Sequence, residues 1–149
     1  MLRYSRAMLR GPHVAESAAR TPGEEPLAKT STSTYARLEA GIIVQRVRPG
    51  SKQQLEDAKE NVECFNRIAQ GQRHCVLVDM RAAIAVSKDA RDYYESDEAI
   101  RLLAATALLV QSAAGKMIGN FFLLVTRPRT PCKMFSDEAE AVRWLRGYL

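Results

Sequence analysis

The chain of 149 residues is 46% hydrophobic and 26% charged, a composition typical of one globular domain with a core of its own. Its net charge of +5 is spread thinly, without the clustered basic and aromatic residues of a nucleic-acid-binding face, so we expect no nucleic-acid partner. The apolar blocks 102–110 and 117–125 are too short to cross a membrane.

The first 34 residues differ from the rest of the chain. They contain three prolines, scattered arginines and a Thr/Ser run at 30–34, and no periodic apolar pattern. Such a composition does not supply enough apolar surface to order a segment. We therefore predict a disordered basic extension over residues 1–34 and a folded domain over residues 35–149.

A hairpin and a helix open the predicted domain. Residues 35–40 alternate in polarity, and Gly41 can turn the chain into the apolar stretch 42–47, which predicts two paired strands. Ser51 has the character of an N-cap for a helix whose apolar face recurs as far as residue 69. Gly71 is suited to end that helix.

The middle of the chain contains the most informative pattern. Residues 75–80 form a continuously apolar strand, typical of burial on both faces, with Asp79 near its end. After a loop, Ser87 is placed to cap a short helix through residue 94, and Ser96 to cap the next. Tyr93 and Tyr94, next to Glu95, could line a groove.

The remaining elements complete an alternating order. A second buried strand is predicted at 106–111, a helix in the first part of 114–125, an edge strand at 132–135 and a last helix capped by Ser136. The order β-β-α-β-α-α-β-α-β-α indicates an α/β domain. We predict a mixed sheet of four to five strands that opens with a hairpin and has four to five helices packed on it.

Four segments, 76–79, 87–91, 119–123 and 135–145, carry a resemblance to the STAS domain of anti-sigma-factor antagonists and sulphate-transporter tails. More closely, the pattern resembles small bacterial STAS/CRAL-TRIO-like proteins, over residues 35–149. In anti-sigma-factor antagonists, a strand ending in Asp leads to a phosphorylatable serine at a helix start, where partner proteins dock.

The resemblance implies a regulatory site at Asp79 and Ser87, which occupy similar places. Lys88 and Arg91 could pair with a phosphate on Ser87. The usual Asp-Ser-Ser/Thr-Gly signature is absent, and a plain helix cap explains Ser87 without any switch. The partner would be an unidentified protein or a second copy of the chain, for which Phe135 and Trp144 offer a contact face.

A second function class is a small-ligand or lipid-binding domain, as the CRAL-TRIO resemblance implies. Its pocket would be lined by Met117, Phe121 and Phe122, which recur at helical spacing, with Asn120 as the polar member. Apolar residues at such helical spacing more often pack into the hydrophobic core than line a pocket.

An enzyme has no supporting motif in this sequence. The three cysteines are widely spaced, and His74 has no ligand or base at a useful spacing. We therefore expect no metal, no cofactor and no catalytic constellation. Reduced, buried thiols at Cys64 and Cys75 are typical of a cytoplasmic protein.

Overall fold

A computed structural model of the chain describes residues 22–111, 113–121 and 127–149. Its strands are β1 (Glu25–Lys29), β2 (Ser33–Glu39), β3 (Ile42–Val47), β4 (Lys52–Gln53), β5 (His74–Asp79), β6 (Ala85–Val86), β7 (Leu103–Leu109) and β8 (Cys132–Phe135). Its helices are α1 (Leu55–Ala69), α2 (Lys88–Tyr94), α3 (Asp97–Ile100), α4 (Ala113–Phe121) and α5 (Glu138–Arg146).

Six strands form one mixed sheet in the order β1-β2-β3-β5-β7-β8. The first two pairings are antiparallel and the last three are parallel. β4 and β6 pair separately as a short parallel ribbon. The predicted α/β class and opening hairpin are confirmed, and the sheet has more strands than the four to five predicted.

The extra strand, β1, lies inside the segment predicted to be disordered. β1 pairs with β2 from Glu25 to Lys29, and the hydroxyl of buried Thr30 donates to Asn61 Oδ1 at 2.6 Å. The prediction of disorder is therefore wrong for residues 22–34, and residues 1–21 lie outside the described part. A three-residue polar turn and long-range pairing order this segment, and neither leaves an apolar period in the sequence.

Two predicted caps are displaced by one or more residues. α1 begins after Gln54 rather than Ser51, because the intervening residues form β4 and the Ser51 carbonyl accepts from the backbone of Ile84. α5 is capped by Asp137 rather than Ser136, and its carboxylate accepts from the Glu140 N–H at 2.9 Å. In both helices the cap is a residue that follows the predicted serine, Gln54 in α1 and Asp137 in α5.

Helices cover both faces of the sheet. Because side chains alternate along a strand, β3 and β5 give one set of residues to each face. One face packs on α5, through Ile42, Val44, Cys75, Leu77, Ala105, Ala107, Leu109, Ala141, Val142 and Leu145. The other packs on α1, through Tyr35, Ile43, Cys64, Phe65, Ala69, Val76 and Leu102. The predicted burial of Cys64 and Cys75 is confirmed.

Trp144 lies on the α5 side, near the edge strand. Its ring is 5.6 Å from that of Phe135 and 4.9 Å from that of Tyr148, so it is partly covered within the chain. In the part of the chain that the structure describes, no helix has both the length and the apolar character needed to span a bilayer.

Candidate functional site

Asp79 lies in a cluster of buried charges at the carboxyl ends of β3 and β5. Arg46 Nη1 donates to Asp79 Oδ2 at 2.8 Å, and Arg81 donates to both carboxylate oxygens at 2.9 and 2.7 Å. Arg46 also donates to Glu138 Oε1 at 3.0 Å and to Glu24. The side chains of Arg46 and Asp79 are only 6% and 10% exposed.

These charges stabilise one another. Burial acts to raise the pKa of Asp79, but hydrogen bonds from Arg81 and Arg46 lower it below its ordinary value. Burial likewise acts to lower the pKa of Arg46, and hydrogen bonds to Glu24 and Glu138 raise it overall. Asp79 is therefore a carboxylate held by neighbouring guanidinium groups rather than one presented to solvent.

Ser87 lies on the other side of the sheet. It caps α2, where its Oγ accepts from the Ala90 N–H at 3.2 Å, so the predicted cap is confirmed. α2 packs against α1, whereas Asp79 follows Cys75 and Leu77 on the face covered by α5. The structure thus separates Asp79 from Ser87, since alternation along β5 turns the Asp79 side chain away from α2.

The two predicted phosphate-binding side chains already have partners. Lys88 Nζ donates to Asp92 Oδ2 at 2.6 Å on the exposed surface. Arg91 Nη1 donates to the Val86 carbonyl at 2.6 Å. Both residues remain on the helix that Ser87 begins, so the structure keeps these three together without Asp79.

The pocket predicted around Met117 falls partly on side chains outside the described residues and stays a prediction. α4 forms as predicted, but Met117 is 70% exposed and Asn120 is also exposed. The Phe121 side chain and Phe122 lie outside the described residues. Helical spacing locates an apolar face of a helix, but not what that face packs against.

A cavity of about 110 Å³ lies between the sheet and the layer formed by α1, α2 and α3. Its wall is mainly aliphatic and aromatic. The apolar lining includes Val62, Phe65, Val76, Val78, Met80, Ala99, Leu103 and Leu108. An engineered apolar cavity of about 150 Å³ in another protein takes up benzene, so this volume is in the range of a single small ring.

Tyr94 lies among polar groups at one part of the cavity wall. Its hydroxyl donates to Gln53 Oε1 at 2.8 Å and accepts from Asn61 Nδ2 at 3.0 Å. Burial raises the pKa of Tyr94 to about 12, so the phenol is neutral at physiological pH. These side chains bond to one another and form a satisfied polar network.

Glu95 and Cys132 form a different polar part of the wall. Glu95 Oε2 accepts from the Arg129 backbone N–H at 3.1 Å. Burial raises the pKa of Glu95 above its ordinary value, although the hydrogen bond and the charge of Arg129 act in the opposite direction. Burial and the Glu95 carboxylate raise the pKa of Cys132 to about 12. Thr106 lies beside Cys132 in the β7–β8 register.

The prediction that Tyr93 and Tyr94 line a groove is confirmed for Tyr94, which borders the cavity together with Glu95. Tyr93 does not border it, and its hydroxyl donates to Glu98. Sequence reasoning missed the rest of the wall, because its members come from ten separate strands and helices and share no local pattern. Among residues 22–111, 113–121 and 127–149, no three His, Cys, Asp or Glu side chains group as metal ligands would.

The family model described as "Domain of unknown function (DUF7793)" matches residues 36–149. No curated protein matches the chain. Among solved structures, the chain is similar to an uncharacterized protein of the DUF3478 family with a SpoIIAA-like fold from Shewanella loihica PV-4. That likeness has a TM-score of 0.53 at 13% identity, and it covers 85% of this chain and 98% of the other. It confirms the predicted STAS-like fold.

Proposed function

We propose that this chain, which belongs to the family described as a domain of unknown function (DUF7793), is a STAS-like module that binds a small apolar molecule rather than catalysing a reaction. The observation that carries the proposal is the cavity of about 110 Å³ beneath α1–α3. Protein interiors are otherwise close-packed, so an apolar space of this size lacks packing contacts when it is empty and gains them when an apolar molecule fills it.

The chemistry of the wall favours an apolar occupant. Phe65, Val78 and Leu108 are among the side chains that would surround a ring, and burying apolar surface there is favourable. A ligand of six or seven heavy atoms has a limited affinity, with a Kd no lower than roughly 10⁻⁸ M. We therefore expect reversible binding suited to sensing or carrying a metabolite.

The ligand would act on α2. Arg91 and Tyr94 of this helix, and Glu95 at its end, border the cavity, so an occupant packs against the helix that Ser87 begins. Binding that stabilises one arrangement of α2 is the simplest route by which this module would report the ligand to a partner.

Benzene titration tests the proposal, with methyl resonances of the protein as the readout. We expect benzene to shift the methyl signals of Val78 and Leu108 saturably. Ala99→Leu places three more carbon atoms in the cavity from α3 and should abolish these shifts. The control is Ala139→Leu, an exposed position on α5 across the sheet, which should leave them unchanged. If the methyl signals of the cavity residues do not shift even near the solubility limit of benzene, the proposal is refuted.

A second candidate function is protein docking at α2, switched by phosphorylation of Ser87. It is favoured by the position of Ser87 at the start of the helix that borders the cavity. A phosphate there adds nearly two negative charges beside Lys88 and Arg91. The partner is a protein or a second copy of the chain.

Mass spectrometry of the protein from its own host tests this second candidate. We expect phosphate on Ser87 and none on Ser96, the equivalent cap of α3. Ser87→Glu should then change which chains remain bound in native spectra, while Ser96→Glu does not. An unmodified Ser87, together with an unchanged set of bound chains in Ser87→Glu, would eliminate it.

A further inference from the structure

The two polar parts of the cavity wall differ in how far their hydrogen-bonding groups are already used. The Tyr94 hydroxyl donates to Gln53 and accepts from Asn61, and the Asn61 oxygen accepts from Thr30. A ligand group arriving here would have to break a bond between protein groups, with little net gain. This part of the wall can therefore pack against a ligand, but it has no free hydrogen-bonding group with which to recognise a polar group of that ligand.

Glu95 offers an acceptor that is not used. Its Oε2 accepts from the Arg129 N–H, whereas no hydrogen bond within the described residues reaches Oε1. Thr106, which lines the cavity beside Cys132, has a hydroxyl that also lacks a hydrogen-bond partner among the described residues. The hydrogen bond from the Arg129 N–H, three residues before Cys132, places the carboxylate close to the β8 side of the cavity.

The surroundings of Glu95 disfavour a cationic ligand. Arg91 borders the same cavity, and Arg129 Nη2 donates to the Glu95 backbone carbonyl at 2.8 Å and to Asp97 at 2.8 Å. The Arg129 charge acts on the carboxylate and lowers the pKa of Glu95, and Arg91 adds a second positive charge to the cavity wall, so both arginines would repel an ammonium group. A neutral hydrogen-bond donor fits better than an ammonium group.

Resting on the proposed function, we infer that the ligand is a molecule the size of one ring that carries a neutral hydroxyl group, whose hydrogen is accepted by Glu95 Oε1. The apolar wall takes the ring, and the carboxylate selects the hydroxyl. A hydrogen bond to a charged acceptor in a partly dehydrated site is stronger than one between neutral groups. Burial raises the pKa of Glu95, which is consistent with restricted access of water to its carboxyl group.

Phenol and toluene are a matched pair of probes, since they differ only by a hydroxyl in place of a methyl group. Their Kd values are measured at pH 7 by titration of the cavity methyl signals, in the wild type and in Glu95→Leu. We expect the preference for phenol over toluene to fall roughly tenfold or more in Glu95→Leu, with toluene binding retained. Glu63→Leu is the control, because Glu63 is an exposed carboxylate of α1 that does not line the cavity.

The outcomes separate this inference from the proposed function. If both probes bind and Glu95→Leu leaves their ratio unchanged, the role of Glu95 is refuted and the cavity remains a ligand site. If neither probe binds the wild type, both proposals are refuted. Should Glu95→Leu fail to fold, Glu95→Gln replaces it, and the preference should then fall several-fold because the acceptor is kept but its charge is lost.

Discussion

Replacing Asp79 by asparagine is expected to lower the free energy of unfolding by about 3–5 kcal/mol, the range found when one partner of a buried ion pair is removed. Asp79 accepts from Arg46 Nη1 at 2.8 Å and from the side chain and backbone N–H of Arg81. Asparagine keeps one acceptor oxygen but removes the charge that offsets the buried guanidinium.

The neighbouring arginines provide an internal ranking. Arg46→Met should cost more than Asp79→Asn, because it leaves Asp79, Glu24 and Glu138 close together without their shared cation. Arg81→Met should cost only about 1 kcal/mol or less, since its side chain is 35% exposed and water screens its charge.

The deficit of Asp79→Asn should depend on pH. Burial acts to raise the pKa of Asp79, but hydrogen bonds from Arg81 and Arg46 lower it in the folded state. The stabilisation from the carboxylate is therefore complete above the ordinary aspartate pKa of about 4 and is lost as pH falls through the lower folded value. The two proteins should approach equal stability in strong acid.

Urea unfolding at pH 7 and at successively lower pH measures these differences, with the fluorescence of Trp144, the single tryptophan, as the signal. A deficit of less than about 1 kcal/mol for Asp79→Asn at pH 7 would refute the structural role assigned here. A changed partner profile with unchanged stability would return Asp79 to the regulatory site implied by the STAS resemblance.

Further predictions concern single residues. Ser87→Ala should lower the free energy of unfolding by about 1 kcal/mol through loss of the α2 cap, and an unchanged urea midpoint would contradict that cap. Tyr94→Phe should cost about 1–3 kcal/mol, because the buried Asn61 amide loses an acceptor; equal stability would contradict the network. Cys132, with a pKa of about 12, should react with a disulfide reagent at pH 8 far more slowly than it does in urea-unfolded protein, and equal rates would contradict its burial. Gly41→Ala should cost about 1–2 kcal/mol, because Gly41 has a φ of +81°, and a neutral result in urea would refute that conformation.

The local features of this chain were readable from the sequence. The caps of α2 and α3 are set by Ser87 and Ser96, each of which bonds to an N–H three residues ahead. The continuously apolar run that became β5 is buried between two layers of helices. Such features depend on neighbours along the chain, and residue type and spacing are sufficient to predict them.

Only the tertiary structure determined how segments far apart in the sequence lie relative to one another. Asp79 was predicted as part of a regulatory site with Ser87, yet it bonds to Arg46, 33 residues away, on the opposite face of the sheet from α2. β1 is ordered by pairing with β2, and the cavity is lined by residues spread along the chain from Tyr35 to Cys132. Strand order, facing side chains and enclosed volume arise only when the layers pack together, so no local period records them.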